Sequence, residues 1–221
     1  MLHYIYASEI DNFPKLRDGM FRDRAAQFGH RLGWEEVDVD EAGLERDDYD
    51  GMNPLYIIWE LPDGSHGGSM RMMPTVGQTM INDHFTSLTD DVRIESPLIW
   101  ECTRFCISPK ADRRATAALV VAAGELMDAF ALEHFVGVFF DKMERVFAKS
   151  HINADILGVS EDVDAAGDRI AVGTWEITTD CMRRNLERIG VTRDVSREWF
   201  RQSFDRTYAA THQRDDLADC A

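Results

Sequence analysis

The stretch Ile99-Trp100-Glu101-Cys102-Thr103-Arg104-Phe105-Cys106-Ile107 decides how the rest of the chain is read. Its β-branched and aromatic residues predict a strand over 98–108. Strand side chains alternate, so Glu101 and Thr103 are expected on one face and Cys102 and Arg104 on the other. A glutamate and an arginine inside an apolar strand need partners, because a buried unpaired charge is costly.

Elements of both kinds flank this strand. Downstream, residues 112–133 are Ala-rich and helical, and 135–140 is a buried strand. Residues 142–150 read as a helix, 169–178 as β, and 179–189 and 194–210 as two closing helices. The polar tail 211–221 is expected to fray. Upstream, residues 2–7 alternate apolar and polar as a first strand does. Residues 9–29 carry Ile10, Phe13, Leu16, Met20, Phe21 and Phe28 at helical spacing, with Pro14 near the start, where proline is tolerated. Residues 35–50 hold nine acids against one Arg and read as a loop. The turn Pro62-Asp63-Gly64-Ser65 joins two β-rich runs into a hairpin over 54–74. Residues 75–95 look irregular, with short helical turns. Strands alternating with helices predict one α/β domain over 1–210 with mixed strand directions in its sheet.

The 221 residues suit one domain, or at most two small ones. With 12 Phe, 5 Trp and 5 Tyr, disorder of the whole chain is excluded. A net charge of −16 argues against nucleic acid and anionic membrane as overall partners, though not against one local basic face. No apolar run approaches the ~20 residues of a spanning helix. The first residues meet Glu9 and Asp11 too soon for a signal peptide, so a cytoplasmic protein is expected. Four cysteines without a C-x-x-C pair read as reduced thiols, and no metal site is expected. The glycine patterns of dinucleotide and phosphate loops are absent from the sequence.

Three further segments carry chemistry. Arg24, Phe28 and Arg31 fall about a helical turn apart, Gly33 stops the helix, and Trp34 offers an aromatic wall. Glu45, Asp47 and Asp50 crowd three carboxylates that repel unless cations hold them. Arg71 alternates with Met70 and Met72 and so faces away from both. Each has a plain alternative: an amphipathic helix with its stop, a solvated acidic run, an exposed hairpin face.

In order and spacing, these segments together resemble the acyl-homoserine-lactone synthases, the bacterial quorum-sensing autoinducer synthases. Arg24, Phe28, Trp34, Glu45, Asp47, Asp50, Arg71, Phe85, Glu101 and Arg104 stand where that family's pattern has them. The match spans about residues 20–110; beyond it only element order agrees. The resemblance implies a three-layer fold similar to the N-acetyltransferases, with a twisted mixed sheet split into a V-shaped cleft. It implies acyl transfer from acyl carrier protein, or from acyl-CoA, to the amine of S-adenosylmethionine. Lactone closure then expels methylthioadenosine. S-adenosylmethionine is thus a substrate, and no cofactor is called for. Glu101 would be the base, since an ammonium must lose a proton before it attacks. Backbone N–H groups near Thr103 would hold the oxyanion, beside Arg104. Glu45, Asp47 and Asp50 would supply the field around the cationic substrate, with Arg24, Arg71 and Arg104 holding the cluster together. Phe28 and Trp34 would wall the adenosyl site, and Phe85 belongs to the same set.

The run from Ser108 to Ala115 lacks the glycines with which N-acetyltransferases bind coenzyme A, which favours a carrier-protein donor. Gly137 stands where family members that take 3-oxo chains have Thr, which points to an unsubstituted or 3-hydroxy chain. Lys110, Arg113, Arg114, Lys142, Arg145 and Lys149 are the basic groups available to dock an acidic carrier, or they simply solubilise two helices. Leu119, Met127 and Phe139, with Phe130 and Phe135, could line an acyl pocket, or be plain core. Small Ala122, Ala123 and Gly124 would leave it room. Two other readings stay open: an N-acetyltransferase acting on a small amine, and a non-catalytic module that binds carrier protein or S-adenosylmethionine.

Overall fold

Strands β1 (Leu2–Tyr6), β2 (Leu55–Glu60), β3 (His66–Pro74) and β4 (Ile99–Ile107) pair antiparallel in sequence order. The computed structural model describes residues 1–32, 37–163 and 167–218, with side chains through residue 205. β5 (His134–Phe140) lies parallel to β4, and β6 (Asp155–Val163) and β7 (Arg169–Trp175) complete a seven-stranded sheet in the order β1-β2-β3-β4-β5-β7-β6. A parallel neighbour requires a crossover, and helix α3 (Arg114–Phe130) provides it.

The β4–β5 pairing is short. It runs from Ile99 opposite His134 to Glu101 opposite Val136 and goes no further. The remaining residues of both strands diverge, so the sheet forks at the C-terminal ends of its parallel pair.

Both faces of the sheet are covered, so β2 reads as a nearly continuous apolar run, and β1, expected to alternate, is buried on both faces as well. Tyr4, Leu55, Ile57, Met70 and Met72 pack with Leu119, Leu126 and other residues of α3. Helices α5 (Thr179–Ile189) and α6 (Arg193–Ala218) add to that layer through Met182, Leu186 and Phe200. On the opposite face, Ile5, Tyr56 and Ile58 pack against Leu16, Met20 and Phe21 of α1 (Pro14–Arg24). Helices, sheet and helix make the three layers that the resemblance implies.

Several elements differ from the sequence reading. The helix expected over 9–29 is three segments: a 3-10 turn over Ala7–Asn12, α1, and a π-helical turn over Ala25–Arg31. Pro14 lacks an N–H and starts a new helix instead of sitting inside one. The acidic segment, described from Val37 on, runs into a 3-10 turn over Asp48–Met52. β6 was not expected at all. It is an edge strand, and Ile156, Leu157, Val159 and Val163 are all exposed, so no buried face writes an alternating pattern into it. The last helix runs to Ala218, past the end expected at 210 and into the segment expected to fray.

Two glycines are set by close approach. A Cβ on Gly158 would overlap the carbonyl of Leu88, so only glycine lets β6 lie on the turn Thr86–Thr89. Gly158→Ala is expected to lower stability by about 1–3 kcal/mol, as overpacking does. Urea unfolding would show it; an unchanged midpoint would mean that β6 rides free of the turn. A Cβ on Gly124 would come within 2.8 Å of the Met182 sulfur and 3.0 Å of Ile177. The small residue therefore lets α5 approach α3, and the room expected there for an acyl chain is filled.

Candidate active site

β3 aims Arg71 at the α1 face while Met70 and Met72 enter the core opposite. Arg71 is fully buried. Its Nε donates to Thr103 Oγ1 at 3.0 Å, Nη2 to Asp47 at 2.9 Å, and Nη1 to Asp47 and, at 3.0 Å, to Asp50. Arg24, at the end of α1, grips Asp50 with both Nη atoms, at 3.0 and 2.8 Å, and donates Nε to Glu45. Arg104 donates Nε to the other oxygen of Glu45 at 3.0 Å and meets Asp47 at 2.8 Å.

Asp47 and Asp50 also cap each other's backbone at the start of the turn Asp48–Met52, which holds the acidic segment in place. Burial alone would raise the pKa of Asp50, but Arg24 and Arg71 outweigh it and hold its carboxyl well below the usual range. Burial likewise works against the charge on Arg71, yet Asp47 and Asp50 raise its pKa above the ordinary value.

Arg24, Arg71 and Arg104 thus meet Glu45, Asp47 and Asp50 one for one. The six form a neutral, mutually satisfied network. Each carboxylate is held by two arginines, so the three arginines do hold the acidic cluster together.

Arg104 also overturns the expected alternation. Arg71 pairs with Thr103 but Ser69 with Cys106, so Arg104 and Phe105 together oppose Met70 in a bulge. Arg104 takes φ 52°, in the left-handed region, which costs a non-glycine residue about 1–3 kcal/mol. The bulge turns its side chain to the face of Thr103, onto the same Asp47 that Arg71 holds. Its guanidinium lies 5.4 Å from the ring centre of buried Phe28. Cys102 keeps the other face, against Met70.

Glu101 is fully buried at the last paired step before the fork. Its carboxylate accepts from the backbone N–H of Ile81 at 2.6 Å and of Met80 at 3.2 Å, at the start of the short helix α2 (Met80–His84). Burial pushes its pKa up, and the two N–H donors oppose this without cancelling it. Phe85 ends α2 and packs with Ile81 and Val136 beneath the fork.

Gly33 and Trp34 lie outside the described residues. Leu119 and Met127 are buried in the main core, and Phe139 packs onto it against Phe147 and Trp175. The six basic residues are exposed and follow β4 and β5, whose C-terminal ends lie on the side where the sheet opens. Arg114 pairs with Asp112, and Lys142 with Asp168.

Sequence reasoning missed Tyr56 and Gln27. Tyr56 donates to Asp50 at 2.7 Å, and Gln27 Nε2 to the carbonyl of Phe105 at 2.9 Å. Tyr56 lies opposite Arg71 in the register, a signal hidden by a bulge at Trp59/Glu60. Among the described residues, no cluster of three or more His, Cys, Asp or Glu is arranged to hold a metal ion. Nor, among them, is any helix long and apolar enough to cross a membrane.

The family model "Autoinducer synthase" matches residues 9–171. The acyl-homoserine-lactone synthase of Rhizobium etli is 34% identical over 199 residues, 86% of this chain and 92% of that protein. The synthase of Ralstonia nicotianae is 27% identical over 157 residues, 67% of this chain and 75% of that one. Among solved structures, the CoA-dependent synthase MesI has a TM-score of 0.74 at 18% identity, covering 87% of this chain and 96% of that one. BjaI, also a CoA-dependent synthase and solved with SAM and isopentyl-CoA, has a TM-score of 0.75 at 22%, covering 86% and 90%. The forked sheet is the fold of these enzymes, and the sequence matches make this chain an acyltransferase. It belongs to the acyl-homoserine-lactone synthase family, the autoinducer synthases of quorum sensing.

Proposed function

We propose that this chain makes an N-acyl-homoserine lactone from S-adenosylmethionine and the thioester of acyl carrier protein. The amine nitrogen attacks the thioester carbonyl, the C–N bond forms, and the carrier's thiolate leaves. A carboxylate oxygen of the acylated product then displaces sulfur at its γ-carbon, closing the lactone and releasing methylthioadenosine. The observation that carries this reading is Glu101, a buried carboxylate with a raised pKa at the mouth of a forked sheet.

Glu101 takes the proton that the ammonium must lose, directly or through one water. Thr103 lies opposite Arg71 in the ladder, so the oxyanion donor is sought among its neighbours on the open edge of β4, Phe105 first. The neutral ion network fixes Thr103, Arg104 and the 45–50 segment around the adenosyl site, with Phe28 as a wall. Rigid placement of this kind is what a transfer between two substrates needs.

The test is mass spectrometry of organic extracts from cells that make the protein, with Glu101→Ala as control, followed by pure protein with acyl carrier protein and acyl-CoA donors. Homoserine-lactone fragments are expected from the parent only. Folded parent that yields none from either donor overturns the reading.

The run from Ser108 to Ala115, without the glycines that cradle coenzyme A, favours the carrier protein as donor, and the exposed basic residues after β4 and β5 are available to dock it. Arg145→Glu with Lys149→Glu on α4 (Glu144–Lys149) is expected to raise KM for the acyl carrier protein and leave KM for S-adenosylmethionine unchanged. The parent's KM for the carrier should rise with salt, because exposed charge attraction is screened. A salt-independent KM, unmoved by the double substitution, would assign those charges to solubility.

A further inference from the structure

Among the described residues, the open edge of β4 beyond the fork meets a stand-in partner, the side chain of Gln27. Ser108 N–H donates to Gly67, and Cys106 pairs with Ser69, so these residues spend their backbone groups on β3. By alternation, Phe105 and Ile107 present theirs on the opposite edge, toward β5. β5 has left by then, since its pairing ends at Glu101 opposite Val136. The strands still touch at the branch point, where a Cβ on Gly137 would come within 2.8 Å of the carbonyl of Cys102. Past it, among the described residues, no strand of the β5 side pairs with half-buried Phe105, and an unpaired backbone acceptor shielded from water is costly.

Gln27 answers that need. It sits in the π-helical turn Ala25–Arg31, a rare geometry that often marks functional sites. Its side-chain amide donates to Phe105 O at 2.9 Å, while the neighbouring Phe28 lies under Arg104. Two adjacent helix residues thus grip two adjacent bulge residues. A primary amide on a free strand edge does what an amide N–H of an extended chain would do there.

We propose that Gln27 is a placeholder at the donor site. Its amide occupies Phe105 O until a secondary amide of the acyl donor's phosphopantetheine arm takes over that acceptor. Gln27 then turns away, and it sets how tightly the arm binds. This rests on the function proposed above. The arm is chemically the same in acyl carrier protein and in coenzyme A.

The test uses free arms, so it does not depend on acyl length or turnover. Holo-acyl carrier protein and coenzyme A are each titrated into the parent and into Gln27→Leu, which matches the side chain in size but cannot donate. With the competitor gone, Kd is expected to fall about two- to tenfold, the range of one net hydrogen bond. Because the arm is the same in both, the fall is expected for whichever of the two binds the parent. Equal Kd values for both proteins, or binding by neither, overturn the proposal.

A second readout follows the parent protein directly. The Gln27 side-chain NH2 signals, assigned by their loss in Gln27→Leu, should shift in the 15N NMR spectrum on adding the arm and stay still on adding S-adenosylmethionine. Signals unmoved at saturating arm also overturn it. A parent that binds the arm but makes no lactone would instead count against the proposed function.

Discussion

Glu101→Gln is expected to lower kcat by about two to four orders of magnitude, the usual contribution of a positioned base. The amide is isosteric, and its oxygen can still accept from one of the two N–H groups at the start of α2. Its NH2 then faces the other donor, and a charge-assisted bond is lost. That should cost about 1.5–3 kcal/mol, which a folded protein tolerates.

The pH profile separates base from cap. Burial holds the pKa of Glu101 above its ordinary value, and only the ionised carboxylate accepts a proton. Activity of the parent should therefore rise with pH through that raised pKa, and this limb should vanish in the Gln variant. A profile of kcat/KM against pH by product mass spectrometry reads it directly. A Gln variant with the parent's kcat and the same acid limb would leave Glu101 only its structural duty of holding α2.

Arg71→Met should have the largest effect on stability, about 3–5 kcal/mol, because removing one partner of a buried ion network leaves the others uncompensated. Asp47 loses two donors and Asp50 one, and Thr103 Oγ1 loses Nε of Arg71. Urea unfolding at pH 7 measures it. A loss below about 1 kcal/mol would mean that water enters and solvates the carboxylates, against the burial seen here.

Acid should weaken the parent by the same route. Asp50 is held well below its ordinary pKa, so the stability it contributes is complete above the unfolded value of about 3.9 and fades as pH falls toward the folded one. In Arg71→Met that acid-sensitive part should shrink, since Asp50 loses one of its two arginines and keeps Arg24, Tyr56 and the Asp47 N–H.

Much of the fold was legible because it depends on local pattern, and so was the need of several charged residues for partners. The 54–74 hairpin, the strand around Glu101 and the Ala-rich crossover helix each write their period into the sequence. Charged residues inside apolar strands announce that partners exist, as Arg71 and Glu101 do.

What the pattern could not show is who those partners are. Counted outward from Glu60 opposite His66, an unbroken hairpin would set Tyr56 against Met70; the bulge at Trp59/Glu60 sets it against Arg71 instead. A one-residue slip moves every side chain to the other face. The bulge at Arg104 does the same on β4 and is what brings a third arginine to the carboxylates. An edge strand with no buried face, β6, leaves no alternation to read.

The sequence by itself thus determined the α/β class, the strand that carries Glu101, and a set of six charged residues that had to be paired. Only the tertiary structure decided that those six cancel one another and that Glu101 holds α2. It also decided that the small residues of α3 admit a neighbouring helix and that Gln27 stands at the open edge of β4. The physical reason is the same throughout. Periodicity is a property of one segment, whereas register, bulges and ion pairing depend on the distance between segments far apart in the chain.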